Sequence, residues 1–124
     1  MSKSSIIVPT KMFSKAIILA AVAAFTTSVA AKSGDMTFFH PGLGACGGTD
    51  NDGSPVVALN PVDYANGANC GRWITIQGNG HQTAARVVDL CPGCANGDID
   101  VSPAIFDDIA PLDVGRTRVN WFFQ

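Results

Sequence analysis

From residue 32 to the end, the chain runs only about ten residues at a time before a glycine, proline or asparagine interrupts it. The stretches between these breaks are short and rich in Val, Ile, Thr and aromatic residues. Such spacing is the mark of strands joined by turns. All 13 glycines and six of the seven prolines fall in this region. The chain has no Glu, and Leu and Lys are scarce after residue 31, so long helices lack the residues that favour them. The expectation is an all-β domain.

Candidate strands are Met36 to His40, Val56 to Leu59, Trp73 to Gln77, Thr83 to Leu90 and Thr117 to Phe123. Gly78-Asn79-Gly80 reads as a hairpin turn between the third and fourth, because Asn-Gly accepts the positive φ of tight hairpins. Within Trp73 to Gln77, Ile74 and Ile76 share one face and Thr75 and Gln77 the other, so one face is core. By their spacing, Trp73, Trp121, Phe38 and Phe122 read mainly as core residues, with a sugar-stacking platform as the alternative for each. One short helix is expected after Ser102, which can cap it, with Pro103 at the first helical position. Ile105, Phe106 and Ile109 form its apolar stripe, Asp107 and Asp108 face water, and Pro111 limits it.

Residues 1 to 31 read as a removable signal peptide and residues 32 to 124 as one domain, which makes the protein secreted. Lys3, Lys11 and Lys15 precede an apolar run from Ala16 to Phe25, and the small residues from Ser28 to Ala31 offer a cleavage site. A bilayer-spanning helix needs roughly 20 apolar residues, so this run is too short to be one. Met12 is an alternative start that gives a shorter leader. Without the leader, five basic residues face ten acidic ones, all Asp, for a net charge of -5. That surface lacks the cations that nucleic acid requires, and it disfavours electrostatic attachment to anionic pectin. No Asn lies in an Asn-x-Ser/Thr sequon.

Cys46, Cys70, Cys91 and Cys94 all lie in the exported part, and an even number in a small oxidised domain implies two disulfides, with three connectivities open. Cys91-Pro92-Gly93-Cys94 could also be a redox pair or half a zinc site. No thioredoxin-like β-α-β pattern surrounds it, however, and there is no second C-x-x-C. No metal and no cofactor is expected.

The chemistry must then come from the Asp residues, His40, His81 and a few hydroxyls. Asp89 follows the largely apolar strand Ala84 to Val88. Alternation in Asp98-Ile99-Asp100-Val101-Ser102 puts Asp98 and Asp100 on one face. Two carboxyl groups facing each other across a groove are how glycosidases hold an acid and a base, about 5 to 5.5 Å apart in retaining enzymes and about 6.5 to 9.5 Å in inverting ones. The competing reading has one Asp capping a loop or the helix start and the other solvated. Tyr64, in the loop after Pro61, suits a groove because its hydroxyl tolerates water. His40 and His81 each stand alone and read as structural or solvated.

Several motifs occur in order and cover nearly all of the exported part. They are Gly34-Asp35-Met36-Thr37-Phe38-Phe39, Gly42-Leu43-Gly44-Ala45-Cys46-Gly47, Val57-Ala58-Leu59-Asn60-Pro61, Cys70-Gly71-Arg72, Val88-Asp89-Leu90-Cys91-Pro92-Gly93-Cys94, Gly97 to Phe106, and Val119-Asn120-Trp121. Together they resemble the expansin, barwin and rare-lipoprotein-A-like proteins, and most of all the single-domain fungal expansin-like proteins called loosenins. The resemblance implies a six-stranded double-psi β-barrel with one short helix and two disulfides. It places Asp100 on the Asp of the expansin His-Phe-Asp motif, Asp89 on the Asp of the Thr-Asp motif, and Thr37 on the Thr near the start of the domain. In that family these residues line a polysaccharide groove. Here Asp98-Ile99 replaces His-Phe, Val88 replaces the Thr, and Cys91 stands where bacterial expansins have a Tyr. Barwin-like proteins pair cysteines that match Cys46 and Cys70, which leaves Cys91 with Cys94. The chain ends just after the last expected strand, without the second, carbohydrate-binding domain of true expansins, so tight binding to crystalline cellulose is not expected.

Three functions follow as expectations. The first is a monomeric, non-lytic protein that binds and loosens a cell-wall polysaccharide such as chitin, cellulose or a related glucan. Asp100 would hydrogen-bond the glycan, with Asp89, Thr37, Asp98 and Tyr64 beside it, and neither nucleic acid nor membrane would be a partner. The second is an inhibitor or effector with a protein target such as a papain-like cysteine protease, using the loops around Gly47 to Gly53. The third is a glycoside hydrolase or lytic transglycosylase with Asp89 and Asp100 as acid and base.

Overall fold

The structure is a computed structural model and describes residues 30–124; the expected signal peptide lies almost wholly outside the described residues. Six strands form a closed barrel: β1 (Lys32–Phe38), β2 (Val56–Leu59), β3 (Trp73–Gly78), β4 (His81–Leu90), β5 (Ile99–Val101) and β6 (Thr117–Phe123). Around the barrel they follow the order β1, β5, β2, β4, β3, β6. The pairs β1 with β5 and β2 with β4 are parallel, and every other pair is antiparallel. Closure removes the exposed strand edges that a small open sheet would leave. Two short helices complete the fold, α1 (Pro61–Tyr64) and α2 (Pro103–Ile109).

The core lies inside the barrel, where Met36, Val57, Leu59, Ile74, Ile76, Val87, Ile99, Val101 and Trp121 are fully buried. Phe106 and Ile109 of α2 join that cluster, as the apolar stripe requires. Trp121 is the largest buried side chain, and its indole Nε1 donates to Gly97 O at 2.8 Å, so its polar atom is satisfied inside the protein. Asn79 and Gly80 both adopt positive φ and join β3 to β4, with Gly78 paired to His81, as the Asn-Gly turn predicts. The disulfides are Cys46–Cys70 and Cys91–Cys94, the pairing implied by the barwin-like resemblance. The first closes a separation of 24 residues, worth roughly 3 kcal/mol by chain entropy, and the second spans only three residues, so it constrains the unfolded chain less.

Several sequence expectations are corrected. The first strand begins at Lys32 rather than Met36, because Lys32 to Met36 pair along β6 and that pairing overrides the weak strand propensity of Ser33-Gly34-Asp35. Ser102 starts α2, but its hydroxyl does not cap it; the side chain is fully buried and donates to Ser54 O instead. Ala104 N donates to Asp52 O in place of a side-chain cap. Trp73 is 40% exposed rather than core, because it shares the outward face of β3 with Thr75 and Gln77. A second helical turn, α1, forms after Asn60, whose Oδ1 accepts from Asp63 N at 3.1 Å.

The parallel pair β1 and β5 is held by a contact of backbone on backbone. A methyl group at Gly34 would overlap the carbonyl of Gly97, and one at Gly97, which has φ +85°, would overlap the carbonyl of Ser33. Only glycine fits at either position. Gly34→Ala is therefore expected to cost about 3 kcal/mol or more, read as a lower denaturant midpoint. An unchanged midpoint would mean that the two segments do not cross this closely.

Candidate functional site

The candidate residues come from the strands on one side of the barrel. Register aligns Thr37 of β1 with Asp100 of β5, Asp100 with Ala58 of β2, and Ala58 with Asp89 of β4. Residues directly opposite in a sheet point to the same face. The flanking Met36, Val57, Leu59, Ile99 and Val101 point into the core, so this row lies on the outer surface. A β-bulge between Val57 and Ala58 brings Asp89 rather than Val88 opposite Ala58. Without that irregularity Asp89 would point inward.

The two carboxylates flank Ala58, whose methyl group is closed in at 3% exposure. Their Cα positions are thus two strand spacings apart, about 9.6 Å, and side chains on the convex outside of a barrel diverge. This is wider than the roughly 5 to 5.5 Å of a retaining glycosidase pair and near the upper end of the about 6.5 to 9.5 Å of an inverting one.

The environments of the two differ. Asp89 Oδ1 accepts from Ala45 N and from Leu90 N, both at 2.8 Å, and so fastens the loop that carries Cys46 onto the barrel. Asp100 Oδ1 accepts from Thr37 Oγ1 at 2.9 Å. Burial is the main cause that pushes the Asp100 carboxyl above its ordinary pKa. The Thr37 hydrogen bond and the Arg116 charge pull it back, and the Asp89 charge adds to the rise.

Asp98 lies two residues before Asp100 and also meets β1, where its Oδ1 accepts from Asp35 N at 2.9 Å. Structure therefore brings Thr37, Asp89, Asp98 and Asp100 to one side of the barrel. Tyr64 is at the end of α1, half-buried against the core with its hydroxyl 3.7 Å from Cys70 Sγ. That sulfur is in a disulfide and carries no proton, so the hydroxyl is the donor. His40, expected to lack a partner, has its Nδ1 3.0 Å from Asp52, and both side chains are largely exposed.

Two residues of this surface escape sequence reasoning. Ala58 is the small spacer between the carboxylates, and Arg116 faces Asp100 electrostatically while its Nη1 donates to Asp35 Oδ2 at 3.2 Å. Both depend on strand register, for which a single sequence offers no signal. A concavity of about 300 Å³ lies beside the Cys46–Cys70 disulfide, lined by Asp50, Arg86 and Val88 among others. Among the described residues, no cluster of three metal-ligating side chains forms.

No family model matches the chain. It is 34% identical over 97 residues to Allergen Asp f 7 of Aspergillus fumigatus, a match covering 73% of this chain and 36% of that protein, so the chain spans about a third of that relative's length. It is 32% identical over 100 residues to the papain inhibitor of Streptomyces mobaraensis, covering 73% of this chain and 70% of the relative. A solved structure of Streptomyces papain inhibitor superposes with a TM-score of 0.68 at 32% identity, covering 76% of this chain and 94% of that one. Clavibacter michiganensis expansin in complex with cellohexaose superposes with a TM-score of 0.71 over 77% of this chain and 50% of that one; at 21% identity this is a likeness of fold. Two parallel strand pairs interlocked in one closed six-stranded barrel, together with these relatives, lead to one assignment: the chain belongs to the double-psi β-barrel superfamily of expansin-like and barwin-like proteins.

Proposed function

We propose that this is an exported protein that binds a cell-wall polysaccharide along the row of Thr37, Asp100, Ala58 and Asp89, and loosens it without cutting it. The observation that carries this reading is the division of labour between the carboxylates. Asp100 is half-buried, with one hydrogen bond from Thr37 and a raised pKa, and its second oxygen is free to meet a sugar hydroxyl. Asp89 Oδ1 accepts from two backbone N–H groups and serves to hold the loop, while its Oδ2, like that of Asp100, has no protein partner among the described residues. A glycosidase needs two carboxyl groups that can exchange protons with substrate or water; here one of the two already anchors a loop through two backbone N–H groups on a single oxygen, which favours a structural role for it over proton transfer. Asp98 sets the height of the Asp100 strand on β1. The first sugar contacts are assigned to the row itself, and Tyr64 stands beside the Cys46–Cys70 disulfide whose loop Asp89 holds.

Support for the polymer class comes from the fold shared with an expansin solved in complex with cellohexaose. The two disulfides and the apolar leader support export. Retention of the disulfide-intact protein on insoluble chitin, cellulose and a fungal wall preparation tests the reading, with soluble sugar measured in the same supernatants. Asp100→Asn is expected to lower retention about tenfold, the loss of a hydrogen bond to a charged group, with no sugar released by either protein. Equal retention by the variant contradicts the role of Asp100, and sugar that disappears in Asp100→Asn revives the hydrolase.

Asp100 also predicts a pH dependence. Its carboxyl holds its proton more tightly in the folded chain than in the unfolded one, so its contribution to stability is complete below the ordinary carboxylate range and is lost as pH rises through the raised folded value. Asp100→Asn keeps an oxygen for Thr37 and removes the titration. Relative to wild type, the variant is expected to gain stability as pH rises above the ordinary carboxylate range, about pH 4, measured by thermal unfolding. Parallel profiles for the two proteins would contradict the raised pKa.

A second reading rests on the papain-inhibitor relative, most of whose length this chain covers. The loop from Pro41 to Asp50 is braced by a Leu43 to Thr49 bridge, by the Cys46–Cys70 disulfide and by Asp89, and it presents Leu43 at 76% exposure. A rigid loop that presents an exposed apolar side chain suits a protease cleft. Papain activity at high protein concentration tests it. Inhibition that Leu43→Asp abolishes supports this reading, and full activity removes it.

A further inference from the structure

The side of the barrel opposite the carboxylate row is closed by β6 and β3, between β1 and β4. There the register aligns Ser33 with Asn120, Asn120 with Gln77, and Gln77 with Gln82. All four side chains are exposed, and none is charged. Ser33 Oγ donates to Asn120 Oδ1 at 2.7 Å and Gln77 Nε2 donates to Gln82 Oε1 at 2.8 Å, so the amides are oriented before any ligand arrives. Asn120 Nδ2, Gln82 Nε2 and Gln77 Oε1 find no protein partner among the described residues, which leaves two donors and an acceptor facing water. On the same outer face lie Thr75 and Phe122, opposite each other, and beyond them the exposed Trp73.

Exposed strand faces ordinarily carry charged residues, and this chain has ten Asp to place, yet none is on β3 or β6. Two cations share this outer face and both are paired: Arg118 of β6, two residues from Asn120, lies 3.5 Å from Asp35, and Arg86, opposite Trp73, lies 3.7 Å from Asp50. The strip spans three strand spacings, about 14 Å. A strip of uncharged planar amides, with an exposed indole about 13 Å further along β3 on the same face, fits a long neutral ligand that offers many hydroxyls and an apolar ring face. We infer that the outer face of β6, β3 and the first half of β4 is a second binding surface for a neutral polysaccharide, with Asn120, Gln77 and Gln82 bonding its hydroxyls and Trp73 stacking on a sugar ring. The inference takes its polymer class from the proposed function but rests on different residues. Two such faces on opposite sides of one barrel let the protein sit between two glycan chains, which separates them without cleavage.

Nuclear magnetic resonance titration of the disulfide-intact protein with cellohexaose, and separately with chitohexaose, tests both faces at once. The expected result is saturable shifts of the Asn120, Gln77 and Gln82 side-chain amides and the Trp73 indole, together with shifts at Thr37 and Asp100. Trp73→Ala weakens the former about fivefold and leaves the latter unchanged. Shifts confined to Thr37, Ala58 and Asp100 overturn the second surface and leave the proposed function standing. Shifts confined to the amide face do the reverse, and no shift on either face with either sugar overturns both. Concentration-dependent shifts of the amide face without sugar would show that a second copy of the chain covers it, which also overturns the inference.

Discussion

At Gly34 and Gly97 two backbones approach more closely than any side chain would permit, and the geometry of the outer row depends on that approach. Gly97 belongs to the loop that carries the chain from β4 across to β5. Its carbonyl receives the buried indole of Trp121, and the next residue, Asp98, receives the backbone N–H of Asp35. These contacts fix the height of β5 against β1, and Thr37 then falls opposite Asp100. A one-residue slip would turn Asp100 into the core and Ile99 out to water. Asn60, fully buried, ties the same loop to α1 by donating from Nδ2 to Asp98 O at 3.1 Å and to Asp63 Oδ2 at 2.7 Å.

Asp89 and Asp100 are the same residue type, two strands apart, and their surroundings give them different work. Two backbone donors hold Asp89 as a brace for the disulfide-bearing loop. Burial and a single hydroxyl donor leave Asp100 as the group whose protonation responds to its surroundings. In the proposed account one carboxyl meets the glycan while the other maintains the wall beside it. A domain of this size manages that because closure of the barrel and the long-range disulfide stabilise a core built largely from Val, Ile and Leu side chains.

Much of the fold was legible in local chemistry. Asn79-Gly80 announced its hairpin, and Pro103 with Ile105, Phe106 and Ile109 announced α2, because each signal needs only neighbours in sequence. Parts that depend on distant partners were not legible. Lys32 to Asp35 read as loop until β6 paired with it, and Ser102 read as a helix cap until Ser54 claimed its hydroxyl. Alternation showed which side of β5 Asp100 occupies, but the meeting of Asp100 with Thr37, Ala58 and Arg116 required the register of three other strands. Trp73 misled for a different reason: its residue type suggests core, although the alternation that puts Ile74 and Ile76 inward already places it on the other face, where it is 40% exposed.

The most direct test of the central claim is a crystal structure of the disulfide-intact protein soaked with cellohexaose or chitohexaose. The account predicts a glycan lying across Ala58 between Asp89 and Asp100, unbroken, with a sugar hydroxyl in hydrogen-bonding distance of the free Asp100 oxygen. A glycan seated elsewhere with the row empty, or one cleaved over Ala58, would contradict it.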